Sequence, residues 1–539
     1  MTDRILARIV CPILAAAFVH GCTSERARAP EGIFRVASDA EPQYLDPYLV
    51  TGHTEHRILT SLFEGLTTLN QVTLEVEPGA AKSWEISEDG LTYTFHLNPA
   101  AKWSDGTPCT AKDFVYGWKR MLTPKLGSEY SYMLWCIKNA EQYNKGEIAD
   151  FNEVGAQAVD DQTLVVHLNY PTPYLLSMQI HYSWFPVLQS CIEKHGAMDD
   201  RSNPWTLAGN MVSNGPFKLV EWSPNKIIRV VRNEHYWDAD RIKLDGIEFH
   251  PVSGNLLLEE RMFRAGKVDL IETLVLSKIP TYQKENPSVL RLEPFIGTYF
   301  YRINTTRKPL DDPRVRKALA MSVDRDSICR DVTFGAFVPA VALTPPNLAG
   351  YTAEASIEYN VEEARRLLAE AGFPEGRGMR PIEILYNESE DHQTIAEAVQ
   401  SMWKQNLGIS VTTNKQEWRV YLNSMTTLNY DVVRAGWIAD FMDPINYIEC
   451  FTTGNGNNRT GWSNARYDEL ERKARHTVDP VERFSYLQEA ERILLDDAPI
   501  IPIYSFRQRY LLSPDVKGAE ANPLGYLNYR YFSIERAKP

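Results

Sequence analysis

Long apolar runs are scarce in this sequence. The longest, Ile9 to Val19, covers eleven residues, about half of the roughly 20 that a bilayer-spanning helix needs, so no transmembrane helix is expected in the mature chain. Cysteine is sparse too, 7 in 539 residues with no CxxC pair, which leaves zinc and dithiol redox motifs without their ligand spacing. GxSxG, HExxH, GxxxxGK(S/T) and a GxGxxG following a strand are also missing, so hydrolase, zincin, nucleotide-binding and dinucleotide-binding readings lack the residues that carry their chemistry. Basic residues are in deficit, 57 against 70 acids. A net charge of −13 with no dense Lys/Arg run repels a phosphate backbone, and no nucleic-acid partner is expected. Nor is there an internal repeat or low-complexity segment.

What is present is ordinary globular composition, with 44% hydrophobic and 11% aromatic residues, in a chain long enough for about three domains without staples. Residues 1–22 stand apart. Arg4 and Arg8 precede the apolar run, and His20-Gly21-Cys22 follows it, the layout of an export signal. Val19-His20-Gly21-Cys22 resembles a bacterial lipoprotein lipobox, with His20 where a small residue is usual; the alternative is an ordinary cleaved signal with an incidental Cys22. Beyond it Cys109, Cys136, Cys191, Cys329 and Cys450 remain, an odd number, read as buried inert thiols.

The first half mixes strands and helices. Leu91–Leu97 and Gln162–Leu168 alternate as strands, and Thr110 with Asp113 caps a helix running to about Leu122. Asn214-Gly215-Pro216 opens a hairpin with arms Phe217–Trp222 and Ile227–Arg232, followed by a strand at Ile247–Pro251. In the later half, Asn360 with Glu363 starts one helix that exits at Gly372 before Pro374, and Asp479-Pro480 with Glu482 starts another. Between them the pattern is βαβαβ: strand 382–386, helix 392–406, strand 409–413, helix 418–428, strand 430–437. Right-handed crossovers make these strands parallel, and ligands of such sheets bind beyond the strand carboxyl ends. Those ends carry Asn387 and His392, Glu417 and Trp418, and Arg434, Trp437 and Asp440. This is a candidate cleft with apolar walls and a few charged anchors.

Three residues have competing readings. Asp440 could cap the helix after Asp443-Pro444, pair internally with Arg434, or meet a ligand ammonium, because a carboxylate desolvated by Trp437 and Phe441 needs a partner. His53 and His56 share a helix face, but nothing nearby completes a metal site.

Eight motifs run in order along the chain: Tyr44-Leu45-Asp46-Pro47, Leu62-Phe63-Glu64-Gly65-Leu66, Thr94-Phe95-His96-Leu97, Lys102-Trp103-Ser104-Asp105-Gly106-Thr107-Pro108, Asp113-Phe114-Val115-Tyr116, Asn214-Gly215-Pro216-Phe217, Asp312-Pro313-Arg314-Val315-Arg316 and Arg434-Ala435-Gly436-Trp437-Ile438-Ala439-Asp440. On these the chain resembles the extracellular solute-binding proteins of family 5, and among them the oligopeptide-binding receptors of ABC importers. The resemblance implies an α/β, two-lobe periplasmic-binding-protein-like fold of type II with a hinge and an extra N-terminal α+β domain. Lobe I would be discontinuous, 23–66 plus 191–296 plus 508–539; residues 67–190 would form the extra domain and 297–507 lobe II.

The resemblance also implies roles. Asp440 takes the α-ammonium of a short peptide, Arg434 and His392 serve its carboxylate or side chains, and Tyr130, Trp418 and Trp437 line side-chain pockets. Main chain beside His53 and along Gly436, Ile438 and Ala439 pairs with the peptide as an added strand. Met425 stands where relatives can carry an arginine, Phe506 where they can carry a tyrosine, and Gly297 and Ile438 where some carry a paired cysteine. The expected protein is a monomeric, lipid-anchored or periplasmic receptor that hands peptides to an ABC permease, with no catalysis and no cofactor. Rival readings are a dipeptide, murein-peptide or nickel-type receptor, a signalling receptor, and a secreted peptidase or amidase.

Overall fold

The computed structural model describes residues 32–38, 40–252 and 255–536, without the side chains of His53 and Arg419. Residues 1–22, including Cys22, lie outside the described residues. The largest feature is an eleven-stranded mixed sheet. Its main strands are β1 (Ile33–Ser38), β2 (Phe217–Ser223), β3 (Ile227–Arg232), β4 (Gly246–Pro251), β5 (Leu270–Ile271), β6 (Leu290–Ile303), β7 (Ile382–Asn387), β8 (Val411–Gln416), β9 (Val432–Ile438) and β10 (Ile500–Leu512). They lie side by side as β8-β7-β9-β6-β10-β5-β1-β4-β3-β2, and Val338–Pro339 pairs with β10 off this path.

β6 and β10 are the long members, and they are antiparallel to each other. Their ladder is continuous from Leu290↔Leu511 to Pro294↔Arg507, slips, and resumes at Thr298↔Ser505. A slip of this kind bends and twists a strand pair locally. On one side of it the sheet continues into β5, β1, β4, β3 and β2; on the other it continues into β9, β7 and β8. Two large apolar cores pack against the sheet, and each draws on both of its parts, the first including Phe300, Tyr447 and Leu487 and the second Ala37, Val268 and Ile271. One contains Phe34, Trp103, Trp118, Trp184, Phe217 and Phe249; the other contains Ile303, Leu319, Ile384, Val399, Trp403 and Val432. A separate four-stranded antiparallel sheet, built from Ala81–Ile86, Thr92–Leu97, Ala156–Ala158 and Thr163–His167, packs within the first core.

The expected βαβαβ unit is present. β7 pairs parallel with β8 and with β9, joined by α3 (Glu390–Leu407) and α4 (Trp418–Thr426), which follow α1 (His53–Leu62) and α2 (Ala111–Leu122) in the chain. Capping residues set the boundaries as the sequence indicates. Thr110 and Asp113 form the capping box of α2, Asn360 accepts from the Glu363 N–H at 3.0 Å, and Asp479 accepts from the Glu482 N–H at 2.8 Å. α3 starts earlier than the sequence suggests because Ser389 caps it. α4 stops at Thr426, before Leu428 turns to φ +54°. All five remaining cysteines are buried and unpaired.

Candidate functional site

β9 carries the strongest sequence motif into a cleft. Along one edge it pairs with β6 out to Ile438↔Gly297, whereas its pairing with β7 stops at Val433. The stretch Arg434–Ile438 thus continues past its neighbour, and its far end opens on a cavity of about 560 Å³ walled by Tyr130, His181, Tyr182, Trp437, Ile438, Ala439 and Asp440, with Thr51 and Gly52 just before His53. The lining comes from the start of α1, from the loops after α2 and from the end of β9. The first and last of these segments are more than 350 residues apart in the chain, so only the fold brings them together.

Asp440 is half-buried in this wall. Its backbone N–H donates to Asn446 Oδ1 at 3.1 Å, and the indole of Trp437 donates to the same oxygen at 2.9 Å. These two bonds fix both residues. The carboxylate itself receives a long bond from the Tyr132 hydroxyl, 3.4 Å from Oδ2. No basic side chain among the described residues pairs with it. Burial, reinforced by the nearby Glu449 charge, pushes its carboxyl up to about 6. The two structural alternatives for Asp440 fail: Asp443, not Asp440, accepts from the Ile445 N–H at the start of the next helix, and the Arg434 guanidinium lies 5.0 Å over the Tyr299 ring instead. Asp440 is therefore a carboxylate held in the cavity wall without an ionic partner among the described residues.

A second cluster gathers around Arg434. Tyr299, Tyr504 and Phe337 form a stack, with centroids 4.6 Å and 4.3 Å apart, and Arg509 lies 5.5 Å over Phe337. Phe506 meets the stack edge-on, 6.2 Å from Tyr299, and lies under Gly436, where a Cβ would come within 3.4 Å of its ring. His392, in the first turn of α3, is 3.5 Å from the Tyr299 hydroxyl; burial together with Arg434 and Arg509 lowers its imidazole to about 3, so it is neutral at physiological pH. The Tyr421 hydroxyl donates to the Arg434 carbonyl. Arg434 Nε and Arg509 Nη1 are buried and lack hydrogen-bond partners. The cavity wall thus carries the Asp440 carboxylate without an ionic partner among the described residues, while the unsatisfied donors of Arg434 and Arg509 sit in a separate buried cluster that does not line this cavity.

Not every expected residue lines the Asp440 cavity: Arg434, His392, Phe506 and Gly436 are absent from its wall. Trp418 is half-exposed and stacks on Tyr421 at 5.4 Å, outside the cavity around Asp440. Met425 is buried in a small core with Leu385, Tyr421, Tyr430 and Val433, and its sulfur lies 3.6 Å from Arg302 Nη1, so it is not on the cavity wall. The backbone of His53 opens α1 beside the cavity. His56 stacks on His181 at 6.0 Å, and no group of described residues is arranged to hold a metal. Sequence reasoning did not find His181, Tyr182, Tyr132, Glu129, Tyr299, Tyr504 or Arg509. Single aromatic and charged residues in connecting segments show no periodicity or motif that would mark them.

With this geometry in place, comparison with known proteins gives a consistent picture. Residues 75–459 match the model of bacterial extracellular solute-binding proteins, family 5 Middle. The oligopeptide-binding protein OppA of Bacillus subtilis (strain 168) is 37% identical over 503 residues, covering 91% of this chain and 90% of the relative. The periplasmic murein peptide-binding protein MppA of Escherichia coli (strain K12) is 36% identical, covering 89% of each. Among solved structures, Haemophilus influenzae OppA in complex with RPPGFSPFR superposes with a TM-score of 0.77 at 32% identity, covering 94% of this chain and 100% of that one.

Proposed function

This chain belongs to the bacterial extracellular solute-binding proteins of family 5, a family of binding receptors, and we propose that it captures short peptides in the cleft at the end of β9 and delivers them to an ABC importer. The observation that carries this reading is the unpaired Asp440 carboxylate at one end of an open strand edge, with Arg434 along the same strand. A free peptide is a zwitterion whose backbone can add to that edge. Its ammonium supplies the cation that Asp440 lacks, its carboxylate accepts from Arg434 and neutral His392, and its side chains meet Tyr130, Trp437 and Phe506. Backbone pairing ignores side-chain identity, so affinity comes from the main chain and register from the charged ends.

The lobes follow from the same reading: 23–66 with 191–296 and 508–539 as lobe I, 67–190 as the extra domain and 297–507 as lobe II, hinged where the β6–β10 ladder slips. Closure brings the Tyr132 hydroxyl onto Asp440 and the Tyr170 hydroxyl onto Arg475. Ligand favours that state only through contacts made better there. Lipidation at Cys22 would hold this monomeric receptor near its permease, and it performs no catalysis.

Native mass spectrometry of the chain lacking residues 1–22, purified without denaturation, tests the reading. The expected result is a heterogeneous set of short-peptide adducts released by acid. A single non-peptide mass, or turnover of added peptides, would contradict it.

A further inference from the structure

We propose that the Asp440 end of the cleft selects peptides whose first residue carries a second cation, a lysine or arginine side chain. The inference rests on the peptide reading above and adds a preference to it. Two carboxylates, Glu129 and Asp440, line the cavity, and no lysine or arginine does. The two imidazoles in the wall do not offset them. His56 is lowered to about 4 and His181 well below its ordinary value, both chiefly by burial, so both are neutral at physiological pH. Arg475, the cation nearest by way of Glu449, already bonds to Glu449 and Glu471. A peptide ammonium satisfies one carboxylate, Asp440. Glu129 is exposed, forms no ion pair among the described residues, and is left facing the same space.

The surrounding rings suit a cation as well. Tyr130, His181 and Tyr182 meet at 4.9 Å and 4.0 Å between successive centroids, and Tyr132 stacks on Tyr130 at 5.7 Å. Their faces carry negative electrostatic potential and attract an ammonium or guanidinium within about 6 Å. A cavity of about 560 Å³ falls within the usual range for ligand sites and leaves room for a long side chain beside the peptide backbone. The aliphatic stem of a lysine would cover the rings while its head reaches Glu129, as such side chains do on apolar surfaces.

The test is a calorimetric titration of the chain lacking residues 1–22 with four tripeptides: Lys-Ala-Ala and its neutral isostere norleucine-Ala-Ala, and Arg-Ala-Ala and citrulline-Ala-Ala. At low salt each cationic peptide is expected to bind roughly three- to thirtyfold tighter than its isostere, from one partly exposed ion pair and one cation–ring contact. In Glu129→Gln the ratio should move toward one, and added salt should reduce it in the wild type. Equal binding of each pair in the wild type overturns the preference, a ratio that survives in Glu129→Gln overturns its assignment to Glu129, and either result leaves the peptide reading standing. Failure of all four to bind overturns the peptide reading, and the preference with it.

Discussion

At the scale of single residues, Asp440 is an ionisable group held at a cost to stability. Its carboxyl is raised from 3.8 to about 6 in the folded chain, so between these values the folded state binds more protons than the unfolded state. The contribution of this group to stability therefore declines as pH rises from about 4 to about 6 and stays low above that. Asp440→Asn removes the penalty. Unfolding of the ligand-free variant is expected to need about 1–3 kcal/mol more than the wild type near neutral pH, with the difference shrinking below about pH 4, as read by denaturant titration at several pH values. The same change should weaken tripeptide binding by about one to two decades, the worth of a charge-assisted hydrogen bond. Ligand linkage has the opposite slope. An ammonium favours the ionised carboxylate, so affinity should be flat between about pH 6 and the roughly pH 8 at which the peptide's own α-ammonium deprotonates, and fall by up to about tenfold per unit below that range.

At the scale of elements, several sequence motifs prove to be structural. Asp46 of Tyr44-Leu45-Asp46-Pro47 accepts from both terminal nitrogens of the fully buried Arg120, at 2.9 Å and 2.7 Å, and from the Trp205 indole at 3.1 Å. Asp46→Ala would leave that guanidinium buried and unpaired, and is expected to cost about 3–5 kcal/mol in a denaturant melt. Gly297 faces Ile438 across the β6–β9 ladder, and a Cβ there would come within 2.7 Å of the Phe506 ring and 3.0 Å of Ile438. Gly297→Ala is expected to lower stability by about 1–3 kcal/mol and to displace Phe506, measurable as a lower Tm. Helix starts, the β2–β3 hairpin and the βαβαβ unit were legible because capping residues, turn residues and apolar period act locally. The cavity wall was only half legible. Asp440, Trp437 and Tyr130 belong to recognisable motifs or positions, whereas His181 and Tyr182 enter by long-range packing. Met425 stands in a ligand-facing place by resemblance, yet the α4 face that carries it packs inward on Tyr430 and Val433.

At the scale of the whole molecule, the proposed hinge joins two bodies through β6 and β10, the long strands whose ladder slips between them. Separation of the two bodies must break Tyr132–Asp440, Tyr170–Arg475 and the 4.5 Å stack of Tyr174 on Phe441. Saturating peptide should therefore reduce the radius of gyration measured by small-angle scattering, and an excess of ligand near a hundred times Kd should add about 2.7 kcal/mol to stability. The central claim is that this cleft recognises a peptide by its free ammonium through Asp440. It is tested most directly by titrating the chain lacking residues 1–22, in a calorimeter near neutral pH, with one free tripeptide and its N-acetylated twin. The account predicts that acetylation weakens binding to the wild type by about one to two decades and makes little further difference to Asp440→Asn. Equal affinity of the wild type for both peptides would contradict it.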